Sequence, residues 1–134
     1  MASLTTDLKN GIAELAIDDA DVYAGFGPAR RPAEYWQVIP TGGAGVLLAV
    51  AGNLRESTYQ LNRVADDGDS EDALVSAELL YAAIQQKTGW TLDGHQVELI
   101  ECLQEPMLRA AQQPGKILAG FNVRLVARAL TGGS

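Results

Sequence analysis

"GKILAGFNVRLVARAL", residues 115–130, alternates along nearly its whole length. Ile117, Ala119, Phe121, Val123, Leu125 and Ala127 fall on one side of a period-two strand. Gly120, Asn122, Arg124 and Arg128 fall on the other, interrupted by Leu118 and Val126. At about 3.3 Å per residue such a run exceeds ~40 Å, against roughly five or six residues for an ordinary strand. A small domain does not need all of it for its own sheet. The surplus is expected to bend, or to pair outside the subunit along an open edge.

Working back from this strand, "MLRAAQQPGK" reads as a connector with a Pro-Gly turn at 114–115, and residues 96–104 as a strand ended by Pro106. Residues 70–87 predict a helix capped by Asp69 or Ser70, with Gly89 beyond its end. Leu74, Ala77, Tyr81 and Ile84 form one stripe of it, and Leu80 lies beside them. "RESTYQLNRV" at 55–64 alternates as a half-buried strand, Tyr59 and Leu61 opposing Thr58, Gln60 and Asn62. Arg63 breaks its apolar side, which implies a bulge or an exposed strand end.

Further upstream, "EYWQVI" at 34–39 is a strand stopped by Pro40, and "TGGAG" at 41–45 a flexible turn. "VLLAVAG" at 46–52 fits either a buried strand or an anchored loop. Val22–Phe26 is a short extended piece before a Pro-rich loop. Leu4, Leu8, Ile12 and Leu15 mark one face of a helix over 4–16, capped by Ser3, Thr5 or Thr6. Gly11 weakens this helix, and the acids of "DDAD" at 18–21 end it. The expected fold is α+β: one small domain over 1–130, a mostly antiparallel sheet, two main helices packed on one face, and a flexible tail at 131–134.

The 134 residues carry a formal net charge of −7, which repels phosphates and disfavours a module that grips nucleic acid. The single cysteine, Cys102, excludes an intrachain disulfide and a cysteine metal cluster, and reads as a small buried hydrophobe. The first residues lack the pattern of a signal peptide, and no apolar run approaches the ~20 residues of a membrane span. A reducing, cytosolic-type setting is therefore expected.

Catalytic signals are absent. His95, the only histidine, follows an Asp-Gly turn and reads as a surface residue without an oriented nucleophile. "DDGDSED" at 66–72 misses the spacing of a calcium loop and suits a helix start. "TGGAG" lacks the ending of a phosphate loop. No catalytic, metal or cofactor residue is assigned, and an enzyme is not expected. "ARRP" at 29–32 is a basic spot that is either solvated or paired with an acidic neighbouring subunit.

"VYAGFGP", "YQLNRVADD", the Ala-rich helix and the long closing strand together resemble the tail terminator (tail completion) proteins of long-tailed bacteriophages, with the minor capsid and neck proteins grouped with them. The likeness spans roughly residues 4–130, with Arg63 standing where that family usually has an apolar residue. It implies a structural virion protein, made in the host cytoplasm and located in the tail or neck. It implies a hexameric ring that caps the tail tube and joins it to the head connector. The implied partners are further copies of the chain, the tube protein and the head completion protein, with DNA passing unbound through the lumen and no membrane. The interface residues expected are Arg30, Arg31, Arg124 and Arg128. The expected patches are the 40–54 loop, an edge strand at 117–130, and the 104–116 connector against a tube subunit. The other readings are a head-closure protein of the same virion and a non-viral α+β binding module.

Overall fold

The computed structural model describes residues 3–25, 34–46, 54–111 and 113–130. In chain order the elements are α1 (Leu4–Glu14), β1 (Asp21–Ala24), β2 (Tyr35–Val46), β3 (Leu54–Asp66), a 3-10 turn (Asp67–Asp69), α2 (Ser70–Gln85), β4 (Trp90–Thr91), β5 (His95–Cys102), β6 (Met107–Ala110) and β7 (Lys116–Ala129). The seven strands form one curled, mostly antiparallel sheet ordered β1-β2-β3-β7-β5-β4, with β6 also on β7. Both helices cover the same face, so the chain is a small α+β domain.

α1 buries Leu4, Leu8 and Ile12, the positions its period marks. Ser3 is the cap, its Oγ accepting from Thr6 N at 3.1 Å. Gly11 has a packing purpose: a Cβ there would lie 2.5 Å from Leu92 Cδ2 and 3.0 Å from Trp90 Cζ2. The missing side chain lets the helix settle on that corner of the sheet. The helix stops at Glu14, before the acids, because Ala16 turns left-handed at φ 50°. An L side chain is strained there and glycine is not. Ala16→Gly is expected to raise stability by about 0.5–1 kcal/mol, read from the urea midpoint.

α2 ends at Gln85, short of Lys87, and buries Ala73, Ala77, Leu80 and Ile84. Asp69 holds the cap position without a side-chain bond to the helix. Ala73 and Ala77 meet Ala65 and Ala119 in a patch of small residues. Leu80 and Ile84 join the main core, where Tyr81 packs edge-on to Phe121 at 5.4 Å between centroids.

β7 is the centre of the sheet, not an edge, which overturns the expectation for the long strand. One side pairs with β3 without interruption, from Leu54↔Arg128 to Asp66↔Lys116. The other side is shared: β5 takes the C-terminal half and β6 the N-terminal half. The length is consumed inside the subunit, because two short strands laid end to end need one long partner. β6 lies within the stretch read as a connector. Its four residues, Met-Leu-Arg-Ala, include no β-branched or aromatic residue and so carry little strand signal, and it is extended because β7 offers it a ladder.

Pro40 does not stop β2, which runs on to Val46. The register against β3 shifts between Pro40 and Gly42 and again between Gly42 and Gly45, and such irregularities tolerate a residue without an N–H. The predicted turn at 41–45 is therefore strand. Most of "VLLAVAG" and the tail at 131–134 lie outside the described residues.

Candidate functional site

The sheet has two unlike faces. The helix-covered face carries Leu61, Ala119, Phe121, Val123, Leu125 and Ala127, each at most 1% exposed. The opposite face carries the polar half of every alternating strand. There Arg124 on β7 bonds Glu56 on β3 through Nε at 2.8 Å and Glu101 on β5 through Nη1 at 2.8 Å. These two carboxylates push the Arg124 pKa up, against a smaller opposing effect of burial. Arg128 bonds Glu98 at 2.6 Å. Two of the four expected interface arginines thus have carboxylate partners within their own subunit. Arg30 and Arg31 lie outside the described residues.

A cleft of about 370 Å³ opens on this same face, between β2, β3 and the β6–β7 hairpin. Tyr35, Gln37 and Gln60 supply polar lining, Ile39, Val64 and Leu118 apolar lining. Arg109, from β6, meets the Gln60 side-chain amide, and with that amide turned so that its oxygen faces the guanidinium, both Nη atoms donate to it at 2.7 and 3.0 Å. Asn62, 1% exposed, donates from Nδ2 to Gln37 Oε1 at 3.2 Å, while its Oδ1 has no hydrogen-bond partner. Alternation shows which residues share this face, but it does not reveal the cleft, which depends on the curl and on β6.

A third feature is the outer edge of β5 and β6. β4 pairs only with Gln96 and Val97, and among the described residues no strand pairs with the outer side of Leu99–Cys102 or of β6. Along this line Leu99 is 46% exposed, Leu103 50%, Met107 49% and Leu108 40%. Four large apolar side chains thus line a strand edge that is unpaired among the described residues.

The remaining candidates are structural. His95 is buried, not on the surface: its Nδ1 lies 2.6 Å from Asp7 Oδ2, which also accepts from Gly94 N at 2.8 Å. Asp7, fully buried in α1, thereby ties that helix to the β4–β5 turn. Among the described residues no serine, threonine or cysteine is bonded to the ring, so the pair has no nucleophile to activate.

Arg63 causes neither a bulge nor an exposed end. It is buried in uninterrupted register, donating Nε to Asp18 Oδ2 at 2.8 Å and Nη1 to Val64 O at 2.9 Å, with its guanidinium 5.8 Å from the Trp36 ring centroid. Cys102 packs partly buried against the core, and burial pushes its thiol pKa up to about 11. At pH 7.5 it should react with a disulfide reagent at least roughly tenfold more slowly folded than in urea. Equal rates would show an open thiol.

The acids of 66–72 form the 3-10 turn and the first turn of α2, and Asp66 pairs with Lys116 at 2.6 Å. Among the described residues no three His, Cys, Asp or Glu side chains are placed to hold a metal ion, and no helix is long and apolar enough to cross a membrane. Neither models of known protein families nor curated protein sequences match the chain.

Proposed function

We propose that this chain is a structural virion protein, a tail terminator whose copies form a hexameric ring that caps the tail tube and joins it to the head connector. The apolar outer edge of β5 and β6 carries this reading, because it gives the subunit an unfilled side on which a further copy can dock. In the strand order, β1 stands at the other end of the sheet from β5 and β4. A contact between these ends joins two different patches, which is the geometry that closes rings. The edge replaces the 117–130 strand as the assembly surface. Arg124 and Arg128 lie on the adjoining face, where their paired charges set a polar rim beside the apolar line. The net charge of −7 suits a lumen through which DNA moves without adhering.

Tail-tube protein polymerised with and without this chain tests the reading. Tubes should stop short and show a disc at one end by electron microscopy. Tubes of equal length and bare ends in both samples would reject it. The cleft favours a second reading, a small binding module, for which the chain would stay monomeric and leave tube growth unchanged.

A further inference from the structure

We propose that the outer side of α2 is a second interaction surface, on which a further copy of the chain docks through its own α2, the two helices lying antiparallel about a two-fold axis.

The placement of apolar residues on α2 points to it. Ala73, Ala77, Leu80 and Ile84 bury one side of the helix against the sheet. At about 100° per residue, Val75, Leu79 and Ala82 fall roughly half a turn away, on the side that meets solvent. Val75 is 49% exposed, Leu79 is 52% exposed, and Ala82 is exposed as well. A surface helix ordinarily keeps that side polar, and one that is apolar on both sides is buried on both. Among the described residues the only other large apolar side chains so exposed are the four on the β5–β6 edge.

The spacing fits a helix as the occupant. Val75, Leu79, Ala82 and Gln86 follow one another at intervals of four, three and four. This is the seam along which two helices pack knobs into holes. In an antiparallel pair Val75 meets Gln86 and Leu79 meets Ala82, so a large side chain stands against a smaller one in the apolar layers.

The charges choose a second copy and its direction. Glu71 and Asp72 are exposed in the first turn of α2, and Lys87 follows its last residue by two. Among the described residues none of the three has an ion pair within the subunit, and Lys87 stands over the Trp90 ring, 5.1 Å from its centroid. An antiparallel copy brings Lys87 of each chain toward Glu71 and Asp72 of the other and opposes the two helix dipoles. A parallel copy would set acid beside acid. The surface complements itself, as an isologous two-fold contact requires. One helix pair buries less than about 1,200 Å² in total, the size of a transient contact.

The inference does not rest on the ring, whose contact joins unlike patches at the sheet ends, and either can fail alone. Leu103→Asp with Met107→Asp removes the apolar edge and leaves α2 intact. Sedimentation equilibrium of that chain, from about 10 µM to about 1 mM, should show pairing with Kd on the order of 100 µM. Adding Leu79→Lys should weaken the pairing at least roughly tenfold with an unchanged circular dichroism spectrum. Lys87→Glu should weaken it too, and Lys87→Glu together with Asp72→Lys should restore it. Cysteines placed in a Cys102→Ser background report the direction. Val75→Cys chains mixed with Gln86→Cys chains should form the mixed disulfide in excess over either self-pair. A monomer at the highest concentration, or pairing that Leu79→Lys leaves unchanged, would overturn the proposal. So would preferential self-pairing of Val75→Cys, which requires parallel helices. Leu79→Cys joining Leu103→Cys of another chain more readily than Leu79→Cys would place the strand edge on this stripe and overturn it as well.

Discussion

Arg63→Ala is expected to cost about 3–5 kcal/mol, the range for removing one partner of a buried ion pair. Arg63 is 6% exposed and serves four neighbours: the Asp18 carboxylate, the Val64 carbonyl, the Trp36 ring and, at 3.7 Å, the Glu34 carboxylate. Truncation removes the charge and the donor at Asp18 Oδ2, leaving that carboxylate only its bonds from Trp36 Nε1 and Ala20 N, and opens space above the ring. Urea denaturation followed by Trp fluorescence measures the loss. In a double-mutant cycle with Asp18→Ala, coupling above about 1 kcal/mol would identify the pair as the source, and zero coupling would assign the loss to packing.

The same pair predicts an acid response. Burial pushes the Asp18 pKa up, but hydrogen bonds from Arg63, Trp36 Nε1 and Ala20 N, with the Arg63 charge, outweigh it and hold the group below its ordinary 3.8. Because the folded value lies below the unfolded one, the stabilisation is fully present above about pH 4 and is lost as pH falls through the folded value. Carbon-detected titration of the Asp18 carboxyl should show its midpoint rising in Arg63→Ala. An unmoved midpoint would separate the carboxylate from the arginine.

Phe121→Ala is expected to cost a further large sum, about 3–5 kcal/mol, through lost burial and the cavity left behind. Phe121 is fully buried on the central strand, directly opposite Leu61 and under Tyr81. Its neighbours sit on β3 and α2, which the sheet and helix ladders hold in place, so the space cannot close cheaply. Phe121→Leu should cost less than half as much. Equal losses for the two variants would mean that ring geometry, rather than filled volume, is what the site requires.

Phe121 and Arg63 mark the limits of what the sequence makes legible. Phe121 stands in a long alternation, and alternation reports directly which side of a strand meets the core. The stripes of α1 and α2 are legible for the same reason, at the helical period. Arg63 breaks its alternation, and its partner Asp18 is 45 residues away in sequence. No local pattern reveals that a buried charge has found its counter-ion. The His95–Asp7 contact, across 88 residues, is hidden in the same way.

β7 is the sharper case. Its length was legible, but its partners were not, because β6 carries no strand signal of its own and exists by pairing. The long strand therefore suggested an open edge where the sheet has its centre. The edge itself, Leu99 to Leu108, lay in segments read as an ordinary strand and a connector. The cleft was invisible for a related reason: Arg109 and Asn62 come together only after β6 joins β7.

Native mass spectrometry of the purified chain, alone and mixed with a tail-tube protein, tests the proposed ring most directly. The account predicts a hexamer in at least one sample, lost when Leu103 and Met107 are both replaced by Asp while the monomer stays folded. A monomer in both samples, or a hexamer that survives those two charges, would contradict it.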